Sequence, residues 1–165
     1  MSCDMLVKLF DLSESECCAL EDTLRGKGIY LKRAMIPDLA RVTEFAREHF
    51  GEGWSHEAHT GVLRNGCWIA VKDKQIVGFA CFESTMRNFF GPIGVLEEMR
   101  GLDIGKALLL KCMLSMREMG YAYAIIGWVG PEEFYKKCVG AIPIPDDAAG
   151  RAPRSYHNMV QFDEQ

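Results

Sequence analysis

The stretch MRGLDIGKALL, residues 99–109, places a glycine-containing turn directly before an apolar segment. Apolar residues recur at helical spacing from Ile104 to Met119, and Gly120 follows as a helix stop. A turn that leads from a strand into a helix exposes backbone N–H groups at the positive end of the helix dipole, which suits a phosphate. The stretch therefore predicts an anion-binding helix start in a domain that mixes strands and helices.

Two common phosphate-binding patterns do not fit this turn. A Walker loop needs four residues between its glycines and a hydroxyl after the lysine, but Gly101 and Gly105 are separated by three residues and Ala107 follows Lys106. The dinucleotide pattern G-x-G-x-x-G has no match in this stretch. What remains is an arginine, an aspartate and a glycine at fixed spacing, namely Arg100, Asp103 and Gly105.

The rest of the chain reads as alternating strands and helices within one α/β or α+β domain. Runs of alternating or continuous apolar residues predict strands at 5–12, 29–34, 67–73, 75–84, 89–98, 121–129 and 156–162. Helical spacing predicts helices from 13 to 26 or 28 and at 37–51, 54–66, 104–119 and 130–140. Lys74 joins two strands as a hairpin, Gly91 and Pro92 predict a bulge or a sheet edge, and residues 142–155 read as a loop.

Composition limits the class of partner. The chain has 165 residues, 48% of them hydrophobic, and a formal net charge of -4. This acidic balance permits a cationic substrate and argues against a nucleic-acid surface, which needs clustered Lys and Arg. Asp4 and Lys8 interrupt the first apolar residues, and no apolar run approaches the length of a membrane span, so we expect a cytoplasmic protein without membrane contact.

The cysteine and histidine spacings predict no metal site. The seven cysteines show no paired C-x2-C spacing and read as thiols in a reducing compartment. His56 and His59 are three residues apart, whereas the zincin motif needs four.

The pattern at Arg100, Asp103 and Gly105 resembles the central motif [QR]-x-x-G-x-[GA] of the GNAT superfamily of acyl-CoA-dependent N-acetyltransferases. The segment FYKKCVGA, residues 134–141, is similar to the late helix of that family, with its tyrosine and following glycine. The order of elements from Ile29 to Phe162 also fits the family. The resemblance implies an acetyltransferase-like domain at residues 29–165, with residues 1–28 as an N-terminal extension packed on it.

The fold implied by the resemblance is a mixed, mostly antiparallel central sheet that splays open to hold the arm of acetyl-CoA, the acyl donor substrate. Backbone at Val95 and Leu96 would pair with the pantetheine amides. The pyrophosphate would lie at the turn formed by Arg100, Gly101, Asp103, Ile104, Gly105 and Lys106. Tyr135 aligns with the general acid of the family, and Glu83 is a candidate general base, with a water chain as the alternative.

Two functions remain open at this point. The first is transfer of an acetyl group to a primary amine of a small molecule or peptide, and the second is a non-catalytic GNAT-fold binding or interaction domain with weakened CoA affinity. Asp103 decides part of this choice, because its carboxylate either caps the helix and occupies the amides of Gly105 and Lys106 or turns out to solvent. Trp54 and Glu52 are candidate acceptor contacts, and the oligomeric state stays open, a homodimer included.

Overall fold

The computed structural model describes residues 4–145, Tyr156 and Val160. Its strands are β1 (Met5–Lys8), β2 (Ile29–Arg33), β3 (Cys67–Lys72), β4 (Gln75–Phe82), β5 (Phe89–Val95), β6 (Tyr123–Ile126) and β7 (Ile142–Pro143). Its α-helices are α1 (Glu14–Gly26), α2 (Leu39–Phe50), α3 (Glu52–Leu63), α4 (Ile104–Glu118) and α5 (Glu132–Val139). Among the residues from 4 to 145, no helix is long and apolar enough to cross a membrane.

The strands form one sheet in the order β2-β3-β4-β5-β6-β1-β7. All neighbouring strands are antiparallel except β5 and β6, which are parallel. Helices α1 and α4 pack on one face and α2 and α3 on the other, which gives two buried groups of side chains. Ile69 and Ala70 belong to different groups because consecutive strand residues point to opposite faces. The predicted fold class, a mixed and mostly antiparallel sheet flanked by helices, is confirmed.

The sheet opens between β5 and β6. These strands pair only through Phe89 with Ile125 and Phe90 with Ile126. Beyond those pairs, β5 continues to Val95 and β6 ends, so one edge of β5 has no strand beside it. The splayed arrangement that the resemblance implied therefore lies at this parallel pair.

The local predictions around the hairpin and the bulge are confirmed. Asp73 and Lys74 both have positive φ angles, 49° and 62°, and join β3 to β4 as a tight turn. The register between β4 and β5 shifts between Ala80 and Phe82, opposite the Gly91–Pro92 segment, so β5 carries a bulge. The segment also lies at an open edge, because the pairing of β5 with β6 ends at Phe90.

The N-terminal residues are part of the sheet. Strand β1 lies between β6 and β7, with Met5 opposite Ile126 and also opposite Pro143. Helix α1 follows and contributes Cys17 and Leu24 to the core that α4 also fills. The division of the chain at residue 28 stays a prediction, but β1 and α1 share the sheet and core of the later residues.

Several elements differ from expectation, and residues 9–11 and 97–98, predicted as strand, lie in 3-10 helices. Helix α3 begins at Glu52, because Gly51 with φ of 100° links it to α2 without a further loop residue. The predicted loop at 142–155 contains the short strand β7, since β1 offers it an edge for pairing. The predicted strand at 156–162 lies outside the described residues except for Tyr156, which is in a 3-10 turn, and Val160, which has no regular structure.

Candidate functional site

A large cleft occupies the opening between β5 and β6. Its volume is about 880 Å³. Its walls are β5, the turn before α4, the segment from β6 into α5, and the junction of α2 with α3. Because the cleft starts where the sheet hydrogen bonds stop, strand backbone forms part of its surface.

The β5 wall presents one of the two predicted backbone residues. The N–H of Leu96 donates to the carbonyl oxygen of Val77 at 3.0 Å, so the polar groups of Leu96 are used within the sheet. Backbone groups alternate in direction along a strand, and those of Val95 consequently point to the open side. Val95 lines the cleft and Leu96 does not. Of the two predicted residues, the structure thus brings Val95 to the cleft and keeps Leu96 out of it, and the contact with pantetheine stays a prediction.

The turn before α4 holds three backbone amides ready for a ligand. The first intrahelical bond runs from the N–H of Ala107 to the carbonyl oxygen of Asp103 at 3.0 Å. The N–H groups of Ile104, Gly105 and Lys106 donate to no residue that the structure describes. They lie at the positive end of the α4 dipole, where an anion is stabilised.

The side chain of Asp103 does not cap α4. Its carboxylate accepts no hydrogen bond from the first turn of the helix, so the capping arrangement is not formed. Asp103 has φ of 62° and ψ of 18°, in the left-handed region. Gly101, two residues earlier, also has a positive φ, 81°. The turn is therefore shaped by two left-handed residues, and no side chain of the described residues occupies its amides.

The two basic residues of the turn are held differently. Arg100 is exposed, lines the cleft and forms no ion pair within the described residues. Lys106 also lines the cleft, but its ammonium donates to the carboxylate of Glu16 on α1. That hydrogen bond raises the pKa of Lys106, against a smaller opposing effect of burial. Arg100 is thus the more available cation for a ligand, whereas Glu16 on α1 holds the ammonium of Lys106 in place.

Gly105 lies at a close contact between α4 and α5. A Cβ atom there would be 3.6 Å from the ring of Phe134 and 3.8 Å from the side chain of Val95. A methyl group would fit, but a longer side chain would extend into the cleft. The glycine keeps the helix start accessible from the side of the open strand edge.

Tyr135 lies on α5 and lines the cleft, with only 6% of its surface exposed. Its ring packs edge-on against Phe90, with centroids 6.3 Å apart, and against Phe134 at 5.1 Å. Burial, with a smaller effect of Cys138, raises the pKa of Tyr135 from 10.0 to about 12. The hydroxyl is protonated at physiological pH, as it would be at a pKa of 10.0, and burial makes it a weaker acid.

Glu83 is not brought to the cleft. Its carboxylate accepts a hydrogen bond from the backbone N–H of Asn88. Burial, with a smaller effect of Glu83, raises the pKa of Tyr121. The carbonyl oxygen of Glu83 accepts from Arg64 at 2.8 Å. These contacts close the loop between β4 and β5, and Glu83 is not among the residues that line the cleft. Its placement gives it a structural role and argues against the predicted role as general base.

The wall of the cleft formed by α2 and α3 is aromatic. The rings of Phe50 and Trp54 stack with centroids 5.3 Å apart and planes at 22°. Glu57 lies one turn further along α3, and its carboxylate accepts a hydrogen bond from the hydroxyl of Thr85. Phe50, Trp54, Glu57 and Thr85 all line the cleft. Trp54, a candidate acceptor contact from the sequence, therefore lies at the wall of the cleft.

Glu52, the other candidate acceptor contact, points elsewhere. Its carboxylate accepts from Nε of Arg47 at 2.9 Å and forms a 3.0 Å contact with His56. The hydrogen bond from Arg47 is the main cause that lowers the pKa of Glu52. Glu52 does not line the cleft.

Residues from the two ends of the described chain meet at Trp128. Trp128 follows β6 with a positive φ of 47°, and its N–H donates to the carboxylate of Asp4 at 3.1 Å. Its ring stacks on that of Tyr156 at 4.2 Å, and the Tyr156 hydroxyl donates to the same carboxylate at 2.8 Å. Asp4 thus positions one aromatic wall of the cleft.

A family model described as an acetyltransferase (GNAT) domain matches residues 64–138. The GCN5-related glucosamine N-acetyltransferase region of a fungal multi-domain GH3 beta-N-acetylglucosaminidase aligns with a TM-score of 0.69 and 13% identity, over 87% of this chain and 20% of that chain. The chain has the GNAT fold. A GCN5-related N-acetyltransferase from Sphaerobacter thermophilus aligns with a TM-score of 0.63 and 18% identity, over 86% and 48%. A Drosophila protein aligns with a TM-score of 0.59 and 13% identity, over 86% and 47%.

The resemblance to the GNAT superfamily is thereby confirmed at the level of fold and domain. No curated protein sequence matches this chain. The chain spans less than half the length of each of the three structures named above. Their own activities are therefore no evidence for the substrate of this protein.

The backbone conformation at Asp103 explains why an aspartate can stand where the motif that it resembles has its first glycine. Glycine adopts the left-handed conformation without steric cost, and Asp and Asn adopt it more readily than other residues. With φ of 62°, Asp103 keeps the backbone path that a glycine would take. The departure from the motif therefore changes the charge of the turn rather than its shape.

Three residues of the site were missed by the sequence predictions: Asp4, Glu16 and Glu57. Asp4 and Glu16 lie far from their partners in the chain, so no local pattern indicates them. Glu57 could have been predicted from the sequence, because it stands three residues after Trp54 and residues at this spacing share one face of a helix.

Proposed function

We propose that this protein is an N-acetyltransferase that transfers the acetyl group of acetyl-CoA to a primary amine of a small molecule or peptide. The observation that supports this most directly is the cleft itself. Three amides at the start of α4 that donate to no described residue lie at one end of an open strand edge, and a buried tyrosine lines the same cavity.

The residues present fit acetyl-CoA as a donor substrate. The amides of Ile104, Gly105 and Lys106 would bind the pyrophosphate, and the helix dipole adds to the attraction. Arg100 supplies a positive charge that no described carboxylate neutralises. The backbone of Val95 would pair with an amide of the pantetheine arm as a further strand would.

Acetyl transfer needs one bond to form and one to break. The neutral nitrogen of the acceptor attacks the thioester carbonyl carbon, and the carbon–sulfur bond breaks. The sulfur leaves as a thiolate, which takes a proton from the hydroxyl of Tyr135. The amine proton passes to solvent through water, and Tyr135 regains a proton from solvent in turn. Tyr135 is the candidate donor because it lines the cleft and its hydroxyl is protonated at physiological pH.

Titration of the protein with acetyl-CoA tests the donor site. The variant Gly105→Glu should lose binding by at least about tenfold, because a side chain and a negative charge would enter the pyrophosphate site. Gly26→Glu is the matched control, since nothing lies within 4 Å of a Cβ at this exposed helical glycine. Equal affinities for the two variants would remove the α4 turn from the donor site.

A non-catalytic GNAT-fold domain is the second candidate. The placement of Glu83 outside the cleft and the exposed charge of Asp103 favour it. A screen of amines with detection of free thiol separates the two functions. Binding of acetyl-CoA without transfer to any amine would favour the second.

A further inference from the structure

Charged residues of both signs line the cleft. The walls formed by the α4 turn and α5 carry Arg100, Lys106 and Lys137 together with the carboxylate of Asp103. The part of the cleft beside α2 and α3, called the Glu57 end below, carries the carboxylate of Glu57 and no basic lining residue among the described ones. A cationic group is therefore attracted to the Glu57 end.

The aromatic walls at the Glu57 end are held in place by packing. A Cβ atom on Gly94 would be 2.6 to 2.8 Å from three ring atoms of Phe50, so the absence of a side chain there lets the ring lie against β5. Trp54 stacks on Phe50 and contacts Phe79 edge-on at 6.4 Å. With 37% of its surface exposed, Trp54 keeps a face for a ligand.

Glu57 is oriented but not neutralised. The hydroxyl of Thr85 donates to Oε1 of its carboxylate, which fixes the group at the cleft wall. Within residues 4–145, Tyr156 and Val160, no Lys, Arg or His forms an ion pair with it. A half-buried carboxylate beside aromatic faces is a site for an organic cation, because the carboxylate supplies charge and the rings supply cation–π attraction.

We propose that this end of the cleft selects acceptors in which a cationic amine is attached to an aromatic or bulky apolar body, with Glu57 binding the ammonium group and Trp54 contacting the body. The inference rests on the proposed function, since it names the class of acceptor for that reaction. Glu57 is a specificity-determining residue here. It draws the protonated amine into the cleft, and the amine loses its proton to solvent before attack.

The test compares three probes that differ by one feature each. The probe 2-phenylethylamine carries both an aromatic ring and an ammonium group. Phenylalanine adds a carboxylate beside the same amine, and ethylamine lacks the ring. Binding is measured by calorimetry and by the fluorescence of the tryptophans, without acetyl-CoA, so the result does not depend on transfer.

We expect 2-phenylethylamine to bind at least about tenfold more tightly than either of the other probes. The buried ring contributes about this factor against ethylamine. Repulsion between the carboxylate of phenylalanine and Glu57 contributes about this factor against phenylalanine. Glu57→Gln should weaken its binding about tenfold and remove the discrimination against phenylalanine. Glu52→Gln, on the same helix and outside the cleft, should change neither. Melting curves show whether both variants are folded, and Thr85→Val, which removes only the hydrogen bond to Glu57, should give an intermediate loss.

The outcomes separate this inference from the proposed function. Equal binding of 2-phenylethylamine to wild type and to a folded Glu57→Gln variant would overturn the inference, as would tighter binding of phenylalanine. Glu57-dependent binding of 2-phenylethylamine in a protein that does not bind acetyl-CoA would support the inference and overturn the proposed function.

Discussion

The residue at position 103 can be varied so that backbone strain and charge are measured separately. Asp103 is left-handed, exposed and free of any capping bond to α4. Asp103→Asn removes the charge and keeps a residue that tolerates this conformation. Asp103→Gly removes the charge and the steric cost together. Asp103→Ala removes the charge and adds strain.

The magnitudes follow from the geometry. An ordinary residue in the left-handed region costs ~1–2 kcal/mol, and Asp and Asn less. We therefore expect Asp103→Ala to lower the free energy of unfolding by about 1 kcal/mol, or roughly 2–4 °C in Tm for a chain of this size. Asp103→Gly should stay within about 0.5 kcal/mol of wild type, because its larger unfolded-state entropy offsets the relief of strain.

The charge affects donor binding. Two like unit charges roughly 7 Å apart in water repel each other by about 0.6 kcal/mol, and salt screens part of this. Asp103→Asn and Asp103→Gly should thus bind acetyl-CoA equally, about two- to fivefold more tightly than wild type at low ionic strength. The gain should shrink at high ionic strength.

Calorimetric titration with acetyl-CoA at two ionic strengths, together with melting of each apo protein, checks both parts. Weaker binding by Asp103→Asn or Asp103→Gly would show that the carboxylate assists the donor, and the account of this turn would be wrong. A Tm for Asp103→Ala equal to that of wild type would refute the left-handed conformation.

Two further substitutions test the catalytic and packing parts of the site. Tyr135→Phe should lower kcat by about 100-fold with little change in the affinity for acetyl-CoA, because only the proton donor is removed; unchanged turnover would exclude Tyr135 from the reaction. Since burial raises the pKa of Tyr135 from 10.0 to about 12, the folded state retains the proton more strongly, so the wild type should lose stability as pH rises from 10 to 12, and a melting series should show a smaller loss for Tyr135→Phe. Gly94→Ala should destabilise the protein by about 1–3 kcal/mol, because its methyl group would meet the ring of Phe50 at under 3 Å, whereas Gly26→Ala has open space; equal Tm values for these two variants would contradict the packing at β5.

Short stretches of sequence were sufficient to predict many of the elements that build the site. Helix α4 begins at Ile104 as predicted, and the hairpin at Lys74 and the bulge beside Pro92 are also confirmed. These features depend on the backbone preferences of glycine, proline and turn residues and on the spacing of apolar residues. Such preferences act over a few residues, so they can be read without knowing the rest of the fold.

Residue types also indicated the turn before α4 and Tyr135 as site residues. They did not indicate which groups these residues contact in the folded protein. The sequence left open whether Asp103 caps α4, and its left-handed backbone with no capping bond is a property of the folded turn. Val95 and Leu96 are neighbours in the chain, yet only the pairing of β5 with β4 decides that Leu96 faces the sheet and Val95 the cleft. The direction of a backbone group depends on the register with another strand, which one segment does not contain.

Contacts between distant segments were decided by the tertiary structure alone. Strand β1 pairs with β6, Glu16 binds Lys106, and Asp4 positions Trp128, each across about a hundred residues or more. The sequence by itself determined which segments become strands and helices and where a glycine turn opens α4. Which carboxylate faces the cleft was determined only when the sheet and helices packed, because that depends on the relative placement of elements whose local preferences are satisfied in many arrangements.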